Sequence, residues 1–347
     1  MIRRLLARLL PGRRANAPRV YAPDQHPVRR DQLSAAARSV TRRLQDEGFK
    51  AFIVGGAVRD LLLGIEPKDF DIATDATPEQ VKPLFRRAYV IGRRFRLVHV
   101  HVGNDVIEVS TFRAAQTGSD STDEHGRLLS DNVYGSQAED AVRRDFTINA
   151  LYFDPATESI WDYVGGVVDI RARRLKLIGP PVTRYREDPV RMLRAVRLAA
   201  KLGLTIDPKS EEPIRRLAPL MANVPPARLF DEMQKLLLSG HAAETLRSLR
   251  SHGLSHGLQP RFEQRSGSRP ARLLEHPRFR AAYDFLVLRG ESGEAPQALV
   301  EWWTRYQEAS DDAREAMLKP DEAPKKRRRT RTRKRRADVD TPAPPDE

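Results

Sequence analysis

The spacing of apolar residues changes along the chain, and the change separates a mixed first half from a helical second half. Up to about residue 180, short apolar runs of strand length, among them Ala51 to Val54, lie between segments of helical composition. Beyond Glu187 the pattern is almost entirely helical. The sequence therefore predicts an α+β fold, in which a mixed β-sheet with helices precedes an all-α region.

Turn residues sharpen several of the predicted elements. Gly64 follows the helical segment 57–63 and is typical of a C-terminal cap. Alternating strands over 96–102 and 106–111 meet at Gly103-Asn104, which favours a tight turn between them. The remaining predicted elements are helices over 31–47, 78–87, 273–288 and 297–307 and strands over 51–54 and 69–73.

Composition divides the chain into six segments. Residues 259–270, QPRFEQRSGSRP, are polar and carry Gly, Ser and Pro, as linkers do. Residues 325–336 are cationic at 10 of 12 positions, and such a self-repelling block predicts disorder. The predicted segments are a basic N-terminal extension (1–30), an α+β domain (31–180), a helical domain (181–258), the linker (259–270), a helical segment (271–318) and a basic tail (319–347).

Charge and cysteine content narrow the class of protein. The 347 residues carry a net charge of +14 and no cysteine, which excludes disulfides, thiolate zinc sites, iron–sulfur clusters and a cysteine nucleophile. A reducing cytoplasm is the expected compartment. No apolar stretch is long enough to span a bilayer. The basic start MIRRLLARLLPGRR is either a frayed basic tail or a segment that contacts an anionic membrane or acts as a transit peptide.

The basic tail predicts a polyanionic partner, which is most simply nucleic acid, because cationic side chains release counterions when they meet phosphates. Arginine dominates the block, and its guanidinium binds phosphate through two nitrogens at once. The tail residues expected to contact nucleic acid are Lys325, Lys326, Arg327, Arg328, Arg329, Arg331, Arg333, Lys334, Arg335 and Arg336.

Three acids on two predicted strands form the first candidate site. Asp69 and Asp71 stand two positions apart in one strand, so their side chains would share a face, and Glu108 lies among apolar residues on another. Carboxylates placed together suit two Mg²⁺ or Mn²⁺ ions in the geometry of two-metal phosphoryl transfer, although a D-x-D alone also occurs by chance. His99 and His101 could bind a metal with ligands from elsewhere, or they could simply pack.

A phosphate site is predicted at Gly55-Gly56, between a strand and a helix. Glycine lets a backbone approach a phosphate closely, and the start of a helix offers amide donors. The alternative is an ordinary tight turn. Arg59 is a further candidate phosphate ligand, and with Asp60 it could instead form a surface pair or brace the loop.

Two adjacent arginines, Arg143 and Arg144, suit a triphosphate, and the alternative is that both are simply solvated. Asp145 follows them directly and has three alternatives: it could accept a hydrogen bond from a ribose, help to order the metal site, or cap a helix.

A third cluster stands at a predicted helix start. Asp188 is expected to be the N-cap, with Pro189 in the first helical position. Arg191, Arg194 and Arg197 recur every three residues and lie near one face, which either meets RNA or is a solvated stripe paired with acids. A carboxylate and an arginine at such a helix start can also read the edge of a base.

Together these motifs resemble the class II nucleotidyltransferases, the group that contains CCA-adding enzymes and bacterial poly(A) polymerases. The stretch 90–100, the segment 273–286 and the Arg-rich tail are similar to the poly(A) polymerases within that group. The matching motifs are GGAVRDLLLG (55–64), DFDIAT (69–74), RRDFTINAL (143–151), WDYVGG (161–166) and EDPVRMLRAVRLAAKL (187–202).

The resemblance implies a nucleotidyltransferase head over 31–180, a helical neck over 181–258 and template-independent transfer of AMP from ATP to the 3′ ends of mRNA and small RNA. It implies RNA-degradation machinery as a further partner and no role for DNA. The implied site residues are Asp69 and Asp71 at the metals, Asp145 in the active site, Arg144 at the triphosphate, and Glu187, Asp188 and Arg191 at the nucleobase.

Two other functions stay open at this point. A CCA-adding tRNA nucleotidyltransferase would share the fold, and a non-catalytic RNA-binding adaptor would share the RNA-binding parts. Family members usually carry a long helical body where this chain has only the dozen polar residues of 259–270. The difference is either a natural shortening or an incomplete sequence, and it bears on RNA grip rather than on the chemistry of the head.

Overall fold

A computed structural model gives the fold of residues 17–92, 96–114, 133–255, 260–277, 279–293 and 295–318. The chain forms two compact units that divide after Pro260, at the N-terminal end of the predicted linker. Residues 1–16 of the predicted extension and the cationic tail residues 325–336 lie outside the described residues.

The first unit is built on a mixed β-sheet. Its strands are β1 (Arg19–Tyr21), β2 (Ala51–Val54), β3 (Asp71–Thr74), β4 (Ala88–Ile91), β5 (Leu97–Val102), β6 (Asp105–Thr111), β7 (Leu151–Asp154) and β8 (Ser159–Asp162). They stand in the order β1-β8-β7-β2-β3-β6-β5-β4. The β3–β6 pair is parallel and the other neighbouring pairs are antiparallel. Two short strands, β9 (Arg174–Leu175) and β10 (Thr205–Ile206), pair separately, so the predicted all-α region contains one strand.

Helices lie between the strands of this sheet along the chain, and the part of the first unit that follows the last sheet strand is mainly helical, as the apolar pattern predicts. In the first unit they are α1 (Ala35–Asp46), α2 (Gly56–Leu62), α3 (Pro78–Val81), α4 (Gln137–Arg143), α5 (Gly166–Arg171), α6 (Pro181–Glu187), α7 (Val190–Leu202), α8 (Pro208–Leu217), α9 (Pro226–Leu237) and α10 (Ala242–Ser251). Short 3-10 helices cover Pro23–Gln25, Arg30–Gln32, Lys82–Leu84, Thr147–Asn149 and Ala218–Asn223.

Helix α1 contacts strands β2, β3 and β6. Ser34 caps its N-terminus, because the Ser34 hydroxyl accepts a hydrogen bond from the amide of Ala37 at 3.0 Å. Its buried residues recur at helical spacing and are Ala36, Ala37, Val40, Thr41 and Leu44. This packing covers one face of the sheet at these three strands.

The sheet domain begins earlier than predicted. Strand β1 is an edge strand of the sheet and pairs with β8, and Tyr21 and Val28 are buried, so the predicted boundary at residue 31 is wrong. The partner strand of β1 lies far along the chain, and no local pattern could reveal that pairing.

Proline shortens two of the predicted helices. Helix α3 ends at Val81 instead of 87, because Pro83 has no amide hydrogen for the helical bond, and the chain soon enters β4. Pro277 likewise interrupts the predicted helix 273–288, so that one helix ends at Leu274 and the next begins at Phe279.

The second unit is small and has an aromatic core of its own. Its helices are α11 (Pro260–Glu263), α12 (Arg269–Leu274), α13 (Phe279–Glu291), α14 (Gln297–Glu308) and α15 (Asp311–Met317). Trp303 is fully buried, and its indole nitrogen donates to the carbonyl oxygen of Phe262 at 2.8 Å. The rings of Phe262, Phe279, Tyr283, Trp302 and Tyr306 pack around it. Helix α11 lies within the segment 259–270 that we predict to be a linker, and α12 begins at its end, at Arg269.

Candidate active site

A glycine turn joins strand β2 to helix α2. Gly55 has a φ of +70° and a ψ of −125°, a conformation that residues with side chains rarely adopt. A Cβ atom at Gly55 would also lie 3.5 Å from Nη1 of Arg144. The turn therefore requires glycine, and it brings the backbone next to the guanidinium of Arg144.

Arg59 is bound within the protein. Its Nε and Nη2 atoms contact Oδ1 of Asp60 at 2.8 and 2.6 Å, and its Nη1 donates to Oδ1 of Asn149 at 2.7 Å. Arg59 and Asp60 are both buried, which rules out the surface-pair alternative. These contacts favour a brace for the loop and give no support to the predicted phosphate-binding role of Arg59.

Asp71 lies at the start of β3, beside the glycine turn. It is in register with Val54 of β2 and with Glu108 of β6. Although Asp71 is open to solvent, desolvation by the surrounding protein, together with the charges of Glu108 and Asp69, raises its pKa to about 6 against the opposing effect of Arg144. The carboxylates of Glu108 and Asp69 and the guanidinium of Arg144 therefore all lie close enough to Asp71 to affect its charge.

Strand β3 starts later than predicted, and Asp69 precedes it. The pairs of β3 with β2 and with β6 begin at Asp71, so Asp69 lies just outside the paired part of the strand. The predicted start of the strand at Asp69 is therefore wrong, whereas the shared face of Asp69 and Asp71 stays a prediction, because the charge of Asp69 still helps to raise the pKa of Asp71. Among the residues that the structure describes, no group of three or more His, Asp or Glu side chains is placed to hold a metal ion, so the three-carboxylate metal site stays a prediction.

The two histidines of β5 pack against neighbouring strands. His99 Nε2 lies 3.8 Å from Oε2 of Glu108, and the ring of His101 meets Tyr89 edge-on, with 5.4 Å between centroids. These contacts favour the packing alternative over a histidine metal site.

A buried acid that sequence reasoning missed, Asp140, holds both predicted triphosphate arginines. Its Oδ1 accepts from Nε of Arg143 at 3.0 Å, and its Oδ2 accepts from Nε and Nη2 of Arg144 at 3.1 and 2.9 Å and from the Tyr152 hydroxyl at 2.7 Å. Burial would raise the pKa of Asp140, but the two guanidinium groups hold it below its ordinary value. Asp140 stands three and four positions before the arginines, and this helical spacing could have revealed it.

Asp145 has partners for both of its oxygens. Oδ1 accepts from the amide of Phe146 at 2.7 Å and from Nδ2 of Asn149 at 3.0 Å, and Oδ2 accepts from Nε of Arg194 at 2.8 Å. Burial would raise the pKa of Asp145, but Arg194 and these hydrogen bonds lower it to about 2. The short helix Thr147–Asn149 has Phe146 as its N-cap and no side-chain cap, so capping by Asp145 gains no support, and its two roles at the substrate or the metals stay predictions.

A cleft of about 350 Å³ opens beside Asp145 and the start of α7. Asp188, Arg191 and Arg228 line it, and Oδ2 of Asp188 accepts from Nη2 of Arg228 at 2.8 Å. Helix α7 begins at Val190, so its N-cap falls on Pro189, one residue later than predicted. Asp188 still accepts a hydrogen bond from the amide of Val190 at 3.3 Å.

Arg184, which the sequence reasoning also missed, ties α6 to the arginine pair. Its Nη2 donates to the carbonyl oxygens of Arg143 and Arg144 at 2.6 and 2.7 Å. Oε2 of Glu187 accepts from Nη1 of Arg184 at 2.8 Å and from Nη1 of Arg191 at 3.0 Å. Glu187 therefore orients Arg184 and Arg191, and Glu187 itself is not among the residues that line the cleft.

The arginine stripe of α7 is not a free cationic face. Nη1 of Arg194 lies 3.3 Å from Oε1 of the buried Glu232, in addition to the bond of Arg194 with Asp145. Arg197 is itself buried, and its Nε donates to Oε2 of Glu232 at 3.0 Å. The predicted RNA contact of Arg197 is therefore wrong, because a buried guanidinium bound to an acid cannot meet a phosphate, and the predicted contact of Arg194 gains no support.

Three family models match the chain. The Poly A polymerase head domain matches residues 51–176, the probable RNA and SrmB-binding site of polymerase A matches 203–265, and the polymerase A arginine-rich C-terminus matches 256–337. The third model includes the cationic tail, and the first includes every residue discussed above from Gly55 to Asn149.

Curated relatives extend this similarity over most of the chain. A protein of Escherichia coli O6:H1 named poly(A) polymerase I is 40% identical over 89% of this chain and 90% of its own length. A CCA-adding enzyme of Geobacillus thermodenitrificans is 41% identical, but over 63% of this chain and 53% of its own length. The alignment with the Escherichia coli protein is 419 positions long, and 89% of this chain is about 309 residues, so about 110 positions lack a counterpart here.

Solved structures agree on the fold. The crystal structure of the Bacillus stearothermophilus CCA-adding enzyme in complex with CTP aligns with a TM-score of 0.59 and 32% identity, over 80% of this chain and 69% of that one. Across the described part of this chain, no helix is both long and apolar enough to cross a membrane.

Proposed function

The chain belongs to the poly(A) polymerase family of nucleotidyltransferases, and from that premise we propose how its own residues carry out the reaction. It is a polynucleotide adenylyltransferase, which adds AMP from ATP to RNA 3′ ends. One observation carries the proposal. Asp71 stands between Glu108 on one neighbouring strand and the Gly55 turn with Arg144 on the other side.

Asp71 and Glu108, with Asp69, are proposed to hold two Mg²⁺ or Mn²⁺ ions. The donor set suits such ions because it offers hard oxygen ligands, and burial together with the charges of Glu108 and Asp69 raises the pKa of Asp71. Bound divalent ions would neutralise charge at the reacting phosphate and favour the anionic form of the attacking oxygen.

The glycine turn, Arg143 and Arg144 are proposed to hold the triphosphate. Although burial disfavours its charge, Tyr152 and Asp140 keep the pKa of Arg144 above its ordinary value, so this guanidinium stays cationic. The 3′ oxygen of the RNA bonds to the α-phosphorus of ATP and its proton is released to water. The bond between the α-phosphorus and the bridging oxygen breaks, and pyrophosphate leaves against Arg144.

The test is primer extension with a short RNA, Mg²⁺ and each nucleotide supplied separately. We expect extension with ATP and little with CTP, GTP or UTP. Equal use of all four nucleotides would contradict the proposal. Incorporation of CTP onto tRNA that lacks its terminus would instead favour a CCA-adding enzyme.

The base of ATP is proposed to bind in the cleft of about 350 Å³, where Asp188, Arg191 and Arg228 present hydrogen-bonding groups and Glu187 holds Arg191 in place. Replacing Asp188 by Asn exchanges an acceptor for a group that also donates. We expect Asp188→Asn to lower the preference for ATP over CTP about tenfold, since one well-placed hydrogen-bonding pair discriminates bases by about 1–3 kcal/mol.

The measurement for Asp188→Asn is kcat/KM for ATP and for CTP in single-nucleotide extension. Glu212→Gln, which neutralises an exposed acid on α8, serves as the matched control and should keep the wild-type ratio. A variant that loses activity equally with both nucleotides would argue that Asp188 only supports the fold.

We further propose that the cationic residues of 325–336 bind RNA phosphates, which agrees with the match of the arginine-rich model to 256–337. The match of 203–265 to a probable RNA and SrmB-binding site supports a protein partner on the helical neck, and we propose that this partner belongs to the RNA-degradation machinery. A cysteine-free chain suits the reducing cytoplasm, where we place the reaction.

A further inference from the structure

Strands β4, β5 and β6 carry an open, aromatic face beside the proposed active site. Their residues alternate, so that every second side chain is buried on the α1 side, as Val98, Val100, Ile107 and Val109 are. The side chains between them point the other way. On that face Tyr89, Ile91 and Val106 are 53%, 43% and 49% exposed, which is unusual for large apolar residues in a sheet.

This face is continuous with the catalytic carboxylates. Asp71 of β3 is in register with Glu108 of β6, Glu108 with His99 of β5, and His99 with Tyr89 of β4. The four side chains therefore form one row across four strands. At a strand spacing of about 4.8 Å, the row extends about 14 Å from Asp71, a distance of a few nucleotides because stacked nucleotides rise about 3.4 Å each.

The chemistry determines which substrate lies over this face. Phosphoryl transfer places the attacking and leaving oxygens on opposite sides of the phosphorus, roughly in line. The Gly55 turn and Arg144, which are proposed to hold the pyrophosphate, lie on the β2 side of Asp71. The attacking 3′ hydroxyl must therefore approach from the β6 side, where Glu108 and the open face are.

We propose that Tyr89, His99 and His101 bind the last few bases at the 3′ end of the RNA by stacking, an inference that rests on the proposed function. Aromatic and imidazole rings stack on any base, which suits an enzyme that must hold a growing end of varied sequence. The ring of His101 meets Tyr89 edge-on at 5.4 Å, and this contact orients the exposed phenol.

The test compares Tyr89→Ile with Tyr89→Phe. Isoleucine keeps the apolar area and the preference for a strand but removes the ring, whereas phenylalanine keeps the ring. For Tyr89→Ile we expect the KM for RNA to rise about tenfold, with the KM for ATP and kcat at saturating RNA unchanged. Tyr89→Phe should return the KM for RNA to near the wild-type value.

Two further measurements separate stacking from other effects. The ratio of the RNA KM of Tyr89→Ile to that of wild type should stay constant from 50 to 200 mM salt. A lost phosphate contact would change this ratio with salt, because each such contact makes the RNA binding constant fall as about the 0.7 power of the salt concentration. Val20→Ala, which alters an equally exposed apolar residue on the opposite edge strand β1, should match wild type.

The outcomes are distinguishable. Absence of ATP incorporation by the wild-type protein would defeat the proposed function itself. Normal extension by wild type together with an unchanged RNA KM for both Tyr89→Ile and His101→Ala, in variants whose circular dichroism matches wild type, would overturn the stacking surface. Equal losses with Tyr89→Ile and Tyr89→Phe would also overturn it, because they would point to the hydroxyl and not the ring.

Discussion

Replacement of Asp71 by Asn is expected to reduce AMP incorporation at least about a thousandfold, because several kcal/mol of transition-state stabilisation depend on divalent ions held by this carboxylate. Asp71 is the acid at which the proposed metal site, the glycine turn and the Glu108 strand meet. The measurement is single-turnover primer extension with ATP and saturating Mg²⁺. Activity within tenfold of wild type would contradict the assignment of Asp71 to the metals.

Two variants on the neighbouring strand β6 complete this test. Glu108→Gln should reduce activity strongly, because Glu108 is in register with Asp71. Asp105→Asn neutralises an exposed acid three positions away, at the far end of the same strand, and should leave the rate unchanged. Equal loss in both variants would indicate a general effect of charge and not a site.

Asp71→Asn should also stabilise the protein when a chelator has removed divalent ions. Burial and neighbouring carboxylates raise the pKa of Asp71 from 3.8 to about 6, so the folded protein binds this proton more tightly than the unfolded chain. The contribution of Asp71 to stability therefore falls as the pH rises from 3.8 to 6 and stays unfavourable above that range. We expect the melting temperature of the variant to lie above that of wild type at pH 7 and to equal it at pH 3.5. Added Mg²⁺ should raise the melting temperature of wild type more than that of the variant.

Asp140→Asn is expected to destabilise the protein by about 3–5 kcal/mol, because it leaves the guanidinium groups of Arg143 and Arg144 without their buried counter-charge. Asp140 is 1% exposed and also accepts a hydrogen bond from the Tyr152 hydroxyl. The measurement is urea unfolding at pH 7. The KM for ATP should rise in any protein that stays folded, because Arg144 would lose the contact that orients it beside Gly55.

The chain offers a matched control for Asp140. Arg42 and Asp46 form an ion pair at the same spacing of four residues, but both side chains are exposed. Asp46→Asn should change the free energy of unfolding by less than about 1 kcal/mol, as surface pairs do. A similarly small effect of Asp140→Asn would show that the buried network contributes little to stability.

The motifs that carry the chemistry were visible in the sequence where their signal is local. Gly55 must be glycine because of its own backbone angle, and Asp71 starts a strand of apolar neighbours. Positions of this kind are readable because the chemistry depends on adjacent residues. The prolines that end two helices were equally readable, and the pattern of apolar residues alone was the wrong guide there.

Partners that lie far along the chain could not be identified from the sequence. The spacing of Arg194 and Arg197 indicated a cationic face, yet Arg197 is buried against Glu232, which lies 35 positions further along the chain. Asp145 is bonded to Arg194, 49 positions away, and lines the cleft of about 350 Å³, and neither contact can be read from its neighbours in the sequence. A charge that is buried and paired looks identical in the sequence to one that is solvated.

By itself, the sequence determined the class of fold, the order of the motifs and the family, because apolar periodicity, glycine and proline act within a few residues of their position. Only the tertiary structure decided which arginines are free to meet a ligand and which acids hold them. It also decided that the row from Asp71 to Tyr89 lies on one open face. Those outcomes depend on strand register and burial, and both arise from contacts between residues that are far apart in the chain.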